Sequence, residues 1–290
     1  MKLGLHIADF TWPGGPQTMA EDLGRIAEAA EDAGFARISV MDHVWQIGTI
    51  GPPEHDMLEA YTALGYLAAR TRTAELLAWV TAAVYRSPGL LAKAVTTLDV
   101  LSGGRAWLGI GAAWNEEESR GLGLDFPPTA ERFERLRETL QICLQMWSGE
   151  DKPYDGTHYH LARTLNVPQS LRRPHPPILI GGGGEKKTLR LVAEYADACN
   201  LFPSPELERK LDVLRGHCEA VGRNYDDIEK TVMMRLPVRA DGSGVDESLS
   251  ELQRLAGLGV QHVHGLVQEV SSIRPLEIYG EQIIPVAAGF

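Results

Sequence analysis

The sequence predicts an α/β protein, a (β/α)8 TIM barrel with an insertion between strands 4 and 5. Three observations carry that prediction. Short apolar runs alternate with segments of helical period along most of the chain, joined by short turns. Eight such βα pairs fit within 290 residues, and no linker-like stretch divides them, so residues 1–290 read as one domain. The competing doubly wound open sheet would carry a glycine fingerprint after its first strand, and Gly4–Phe10 (GLHIADF) shows none.

The elements follow in order. Lys2–Ala8 reads as the first strand, and Gln17–Ala33 as a helix closed by Gly34. Ala36–Met41 is the second strand and runs into Asp42-His43-Val44-Trp45. The loop Gly48–Pro53 leads to a helix over Met57–Arg70, and Glu75–Ala83 is the third strand. Pro88 opens the next helix, whose Leu91, Val95, Leu98 and Leu101 recur at helical spacing. Ser102-Gly103-Gly104 ends that helix with residues that tolerate a left-handed turn. Arg105–Ile110 is the fourth strand, and it leaves through Gly111-Ala112-Ala113 with almost no side chains. Such a bare strand end lets a flat ligand approach the backbone, although a plain helix–turn–strand joint looks the same.

An acidic run, Glu116-Glu117-Glu118, precedes a helix over Ala130–Trp147 with Phe133, Leu136, Leu140, Leu144 and Trp147 on one face. Ser148–Pro177 is proline-rich and aperiodic, long for a connection, and is expected to be an insertion lying over the site as a lid. Alternation at His158–Leu161 predicts a small hairpin inside it. The rhythm resumes with strand Pro177–Ile180, the turn Gly181–Gly184 and helix Glu185–Tyr195. Strands at Ala198–Phe202, Ile228–Leu236 and Val260–Val267 then alternate with helices at Glu206–Val221, Asp246–Leu258 and Ser271–Ile284.

Charge and composition exclude several classes. Lys and Arg number 28 against 39 Asp and Glu, a formal charge of −11, and no basic block exists to hold nucleic acid. No apolar run approaches the ~20 residues of a membrane span, and the opening MKLGLHIADF is too short and polar for a secretory signal. Cys143, Cys199 and Cys218 are widely spaced and form no CxxC, as expected of reduced thiols in a cytoplasmic protein. His6, His43, His158, His160, His262 and His264 lack the spacing of a metal motif, so no metal is expected.

In a barrel the chemistry sits at the C-terminal strand ends. Asp42-His43 is the sharpest polar pair there: an imidazole works as acid or base near neutral pH, and a carboxylate beside it can bind a ring edge or fix a tautomer. The alternative is an aspartate that caps the next turn, with His43 merely packed. Gly181–Gly184 ahead of Glu185-Lys186-Lys187 exposes amides at a helix start and suits a phosphate, while a tight barrel turn needs the same glycines. His6, Trp12, Trp45, Tyr85 and Trp114 fall near strand ends and are candidate walls of a substrate pocket for a planar ring.

Four stretches together resemble the bacterial luciferase-like family of flavin and deazaflavin oxidoreductases: Asp42–Trp45, Thr81–Pro88 (TAAVYRSP), Leu91–Trp114 with the LSGGRAWLGIGAAWNEEE that runs on from it, and Pro177–Asp197. They span roughly residues 1–235 in order, and within the family they are most similar to the oxidoreductases that use the deazaflavin coenzyme F420. The resemblance implies a hydride transfer between coenzyme F420 and a small organic substrate. An FMN-dependent monooxygenase fed by a separate flavin reductase is the alternative, and a non-catalytic cofactor-binding barrel or a metal hydrolase stands further off. It implies His43 as the catalytic residue and Asp42 at the polar edge of the cofactor ring. Thr81, Ala82 and Ala83 would back the ring, with a bulge or non-prolyl cis peptide at Ala82–Ala83. Asn115 would meet the ribityl-phosphate region, Gly181, Gly182, Gly183 and Gly184 would cradle the phosphate, and a homodimer is implied. One departure stands out: the family's sugar-phosphate dehydrogenases have a glutamate where this chain has Ala112, and Glu116 and Glu117 are the substitutes the sequence offers.

Overall fold

The computed structural model describes all 290 residues. The first strands are β1 (Lys2–Ile7), β2 (Arg37–Val40) and β3 (Glu75–Ala78), the last continued by the two-residue β4 (Thr81–Ala82). After β5 (Leu108–Gly111), the short β6 (Tyr154–Asp155) and β7 (His160–Leu161) pair as a separate antiparallel hairpin. β8 (Ile178–Gly181), β9 (Ala198–Leu201), β10 (Glu229–Leu236) and β11 (His262–Val267) complete the main sheet. Its order is β3-β2-β1-β11-β10-β9-β8-β5-β4, parallel throughout. The two ends meet, because Leu76 of β3 bridges Ala106 ahead of β5 while Thr81 of β4 pairs with Ile110. The expected eight-stranded barrel is therefore closed, with its third strand in two pieces.

Between those pieces lies a cis peptide bond at Trp79–Val80. The bulge expected at Ala82–Ala83 is thus displaced toward the N-terminus. Ala82 cannot host it, since it sits in register opposite Gly111 and the Ala83 amide bonds the Gly111 carbonyl at 3.0 Å.

The helices around the barrel are α1 (Met19–Ala33), α2 (Ala60–Arg70), α3 (Pro88–Ser102), α4 (Glu116–Gly121) and α5 (Thr129–Ser148). They continue as α6 (Thr188–Tyr195), α7 (Leu207–Val221), α8 (Val245–Gly257), α9 (Arg274–Ile278) and α10 (Ile284–Ala287). α1, α3, α5 and α7 each stop on a left-handed glycine. The acidic run, which the sequence left without an element, forms α4, because the Asn115 side chain accepts from the Glu118 amide and caps it. The terminal helix expected over Ser271–Ile284 is interrupted: Ile273 takes φ 69°, and prolines 275 and 285 each open a new helical piece.

Strand alternation sorts two interiors. Leu5, Ile38, Leu76, Ile110, Ile180 and Val263 face the helices in one large core. The barrel axis is more polar. At its lower end Arg37, 1% exposed, donates to Glu75 and Glu229 and lies 3.8 Å from the Trp107 ring. Above it His262 stacks on His264 at 4.4 Å, and His264 lies 3.8 Å from the Trp79 ring. Gly4 makes room for them, since a Cβ there would stand 2.7 Å from the His264 ring.

The segment Ser148–Pro177 lies outside the barrel, strapped to α3 and α5. The Glu138 carboxylate accepts the amides of Thr157, His158 and Tyr159 at 2.7–3.0 Å. Asp99 accepts those of Leu171 and Arg172 at 2.6 and 3.0 Å, and Asn166 donates to Thr96. The lid expected from sequence is not seen here: two helix-borne carboxylates tie the segment down, and none of its residues lines the cavity described next.

Candidate active site

A cavity of about 540 Å³ opens over the C-terminal ends of β2, β4, β5, β8 and β9. Of the residues expected there, Asp42, His43, Thr81, Ala82, Trp114 and Gly181–Gly184 line it, as does Tyr85. Ala83 is fully buried behind the wall, and Asn115 is spent on capping α4. Trp45 turns away to pack on Gly121 of α4, where a Cβ would collide with its ring. His6 and Trp12 line a separate hollow of about 320 Å³ above β1 and β11. His6 is held there by the Ser39 hydroxyl at 2.9 Å.

One end of the cavity is built around His43. Its Nδ1 lies 2.6 Å from Oε2 of Glu118, whose side chain is completely buried. The same oxygen accepts from the Tyr85 hydroxyl at 3.0 Å, and Oε1 accepts the amides of Val44 and Trp45. Burial alone would raise the Glu118 pKa, but the bond and charge of His43 and the two amides hold it below the usual range. Trp114, 63% exposed at the rim, stands edge-on to His43 at 5.3 Å. Asp42 is clamped by both terminal nitrogens of Arg86 and by the Ala82 amide. Arg86 in turn is anchored by Glu59 at 2.6 Å.

The other end is bare backbone. Gly182 takes φ 114°, a conformation that other residues rarely adopt, and its amide bonds the Asn200 carbonyl. The amides of Gly183 and Gly184 make no bond within the chain, and α6 begins four residues later with no side-chain cap. Lys210 donates to the Gly183 carbonyl at 3.0 Å and brings a cation to this end. Arg132 of α5 holds the carbonyls of Ala112 and Ala113, and its Nε is buried in the wall without a partner. Free amides, a helix start, two cations and an orphaned N–H fit an anionic group such as a phosphate.

Sequence reading missed Trp79, Val80, Arg132 and the carboxylate of Glu118, while Asn200 and Phe202 fall in the strand end Asn200–Phe202 that it placed toward a ligand. Glu116 and Glu117, the substitutes it offered for the missing glutamate, are both exposed, and only Glu118 turns inward. No helical spacing marks Glu118 in the sequence, because the other buried residue of α4 is its immediate, polar neighbour Ser119.

The sequence profile of the luciferase-like monooxygenase family matches residues 1–271. This chain belongs to that family. A relative named F420-dependent glucose-6-phosphate dehydrogenase, from Microbacterium testaceum, is 31% identical over 223 residues, 73% of this chain and 62% of the relative. The chain thus spans less than two thirds of that relative's length. Among solved structures, an F420-dependent secondary alcohol dehydrogenase in complex with an F420–acetone adduct superposes with a TM-score of 0.81 at 16% identity, covering 99% of each chain. A monooxygenase from Streptomyces bottropensis gives 0.79 at 21% identity, over 98% of this chain and 99% of that one. These likenesses confirm the barrel of this family.

Proposed function

We propose that this protein is an oxidoreductase that moves a hydride between coenzyme F420 and a small organic substrate, acting as a single barrel domain. The observation that carries the reading is one cavity with an anion cradle at Gly181–Gly184 and an imidazole, His43, on the opposite wall. The names of the relatives favour the deazaflavin over FMN. When bound, coenzyme F420 supplies a two-electron hydride carrier, so the protein needs to add only binding, orientation and a proton.

Each part of the wall has a role in that task. The amides of Gly183 and Gly184, with Lys210 and Arg132, hold the anionic part of the cofactor. Val80, Thr81 and Ala82 offer a smooth surface to a planar ring, and Asp42, held in place by the Arg86 clamp, stands at its edge. His43 gives or takes the proton at the substrate oxygen. Ala112 leaves the end of β5 without a carboxylate, so the substrate is one that a single proton partner can serve, unlike a sugar phosphate. Trp114 and Phe202, exposed at the rim, offer it apolar contact.

The test is a fluorescence titration of the purified protein with coenzyme F420 and, in parallel, with FMN. Micromolar or tighter binding of the deazaflavin, with FMN at least tenfold weaker, supports the reading. A preference for FMN assigns the protein to two-component monooxygenases with a reductase partner, and binding of neither overturns both.

A further inference from the structure

The Glu118 carboxylate is unusual in being full. A carboxylate has about four lone-pair sites, and here each oxygen faces two donor groups: His43 and Tyr85 at Oε2, the amides of Val44 and Trp45 at Oε1. Glu118 touches no part of the cavity itself, being 0% exposed behind His43. An ionised carboxylate only accepts. His43 must therefore carry a proton on Nδ1, and Nε2 is left as the nitrogen that can accept or deliver one.

We propose that Glu118 is a positioning residue that locks His43 in the Nδ1–H tautomer and aims the basic Nε2 at the substrate. This deepens the reading of His43 as proton partner and rests on it. The lock is built into the fold: Glu118 rides on α4, which Asn115 caps at the very end of the β5 loop. The strand end that walls the cavity thus also carries the group that orients its imidazole. Other charges near His43 are otherwise engaged. Asp42 is neutralised by Arg86, and His6, whose positive charge would oppose that of His43, is buried and bonded to Ser39.

Glutamine tests this sharply. Either amide orientation turns an NH2 toward donors: toward Val44 and Trp45 in one, toward His43 and Tyr85 in the other. Backbone amides can only donate, whereas the imidazole and the Tyr85 hydroxyl can switch to accepting, so the second orientation is expected, and it forces the opposite tautomer. Long-range 1H–15N NMR of the imidazole nitrogens in the cofactor-free protein reads the tautomer of His43 directly. The expected wild-type signal is Nδ1–H. Glu118→Gln should lose it, because Nδ1 then faces a donor in place of an acceptor. Turnover with coenzyme F420 should fall about 10²-fold or more, as a wrong tautomer cannot serve the proton. The tautomer seen by NMR should change together with turnover, a spectroscopic change that a merely structural role would not give. Tyr85→Phe removes one donor, keeps the carboxylate, and should keep the tautomer.

A wild-type His43 protonated on Nε2 overturns the proposal outright, even if Glu118→Gln fails to fold. So does a folded Glu118→Gln variant whose tautomer is unchanged. The NMR arm needs no cofactor. Failure to bind coenzyme F420 alongside the expected tautomer change would sink the proposed function and leave the positioning role standing.

Discussion

Acid should unfold this barrel early, and the reason lies along its axis. His6, His262 and His264 are buried; neither ring nitrogen of His264 has a hydrogen-bond partner, and His262 has only the Glu229 carboxylate, 3.3 Å from its Nδ1. Burial, then the positive charge that His43 would carry, pushes His6 down to about 3. Burial and Arg37 push His262 to about 4 against the pull of Glu229, and burial with the neighbouring His262 sends His264 well below its ordinary value. A histidine depressed in the folded state contributes stability that is complete above its unfolded pKa of about 6.5 and is lost as pH falls toward the folded value. At about pH 5 each of the three has been protonated in the unfolded chain only, which costs about 2 kcal/mol apiece and about 6 kcal/mol together. That is comparable with the total stability of a typical domain, about 5–15 kcal/mol. Carboxylates do not explain the same window. Glu229 is held at about 2 because His262 and Arg37 outweigh burial, so its contribution is lost only below the unfolded pKa of 4.5. Urea unfolding followed by circular dichroism between about pH 7.5 and about pH 5 reads the loss. His264→Phe keeps a ring against Trp79 and should reduce the slope by one proton, about 1.4 kcal/mol per pH unit. A stability flat across this window, or a slope untouched by His264→Phe, would refute the reasoning.

Two further predictions test the cavity and its surroundings. His43→Ala should lower steady-state turnover with coenzyme F420 about 10²-fold while the fluorescence-measured affinity for the cofactor stays within a factor of about three. Unchanged turnover would remove His43 from the mechanism. Glu138→Gln puts an NH2 against either the Thr157 amide or those of His158 and Tyr159, and should cost about 3 kcal/mol, a melting-temperature drop of several degrees by calorimetry. Turnover per folded molecule should not change, because the strap does not reach the cavity. A drop in turnover without a drop in melting temperature would restore Ser148–Pro177 as a lid.

The barrel was legible because its signals are local. Alternation of apolar runs, helix-stopping glycines at 34 and 103, and Pro88 each act within a few residues. The cavity was half legible for the same reason. Asp42-His43 and Gly181–Gly184 stand at strand ends, and strand ends are readable once the strands are. Ala83, Asn115, His6, Trp12 and Trp45 also stand at strand ends, yet each faces elsewhere. A side chain's direction past a strand depends on the loop that follows, and no local period records it. Trp45 illustrates the point: two residues beyond His43, it is drawn outward by a space that exists only because residue 121 of α4 is glycine.

Glu118 shows the limit more clearly. Three successive glutamates look like a solvated run, and two of them are one. What singles out the third is a cap at Asn115, which starts a helix there, and an imidazole 75 residues earlier that needs an anion. Neither fact alone marks Glu118. Together they explain why a carboxylate that burial penalises persists at this position: four donors converge on a point where no other side chain can accept them all. An alanine at 118 would leave the amides of Val44 and Trp45 and the hydroxyl of Tyr85 unpaired beside His43. The loop carrying the proton partner is therefore shaped by the same residue that orients it, so the two effects must be separated by tautomer, not by activity alone.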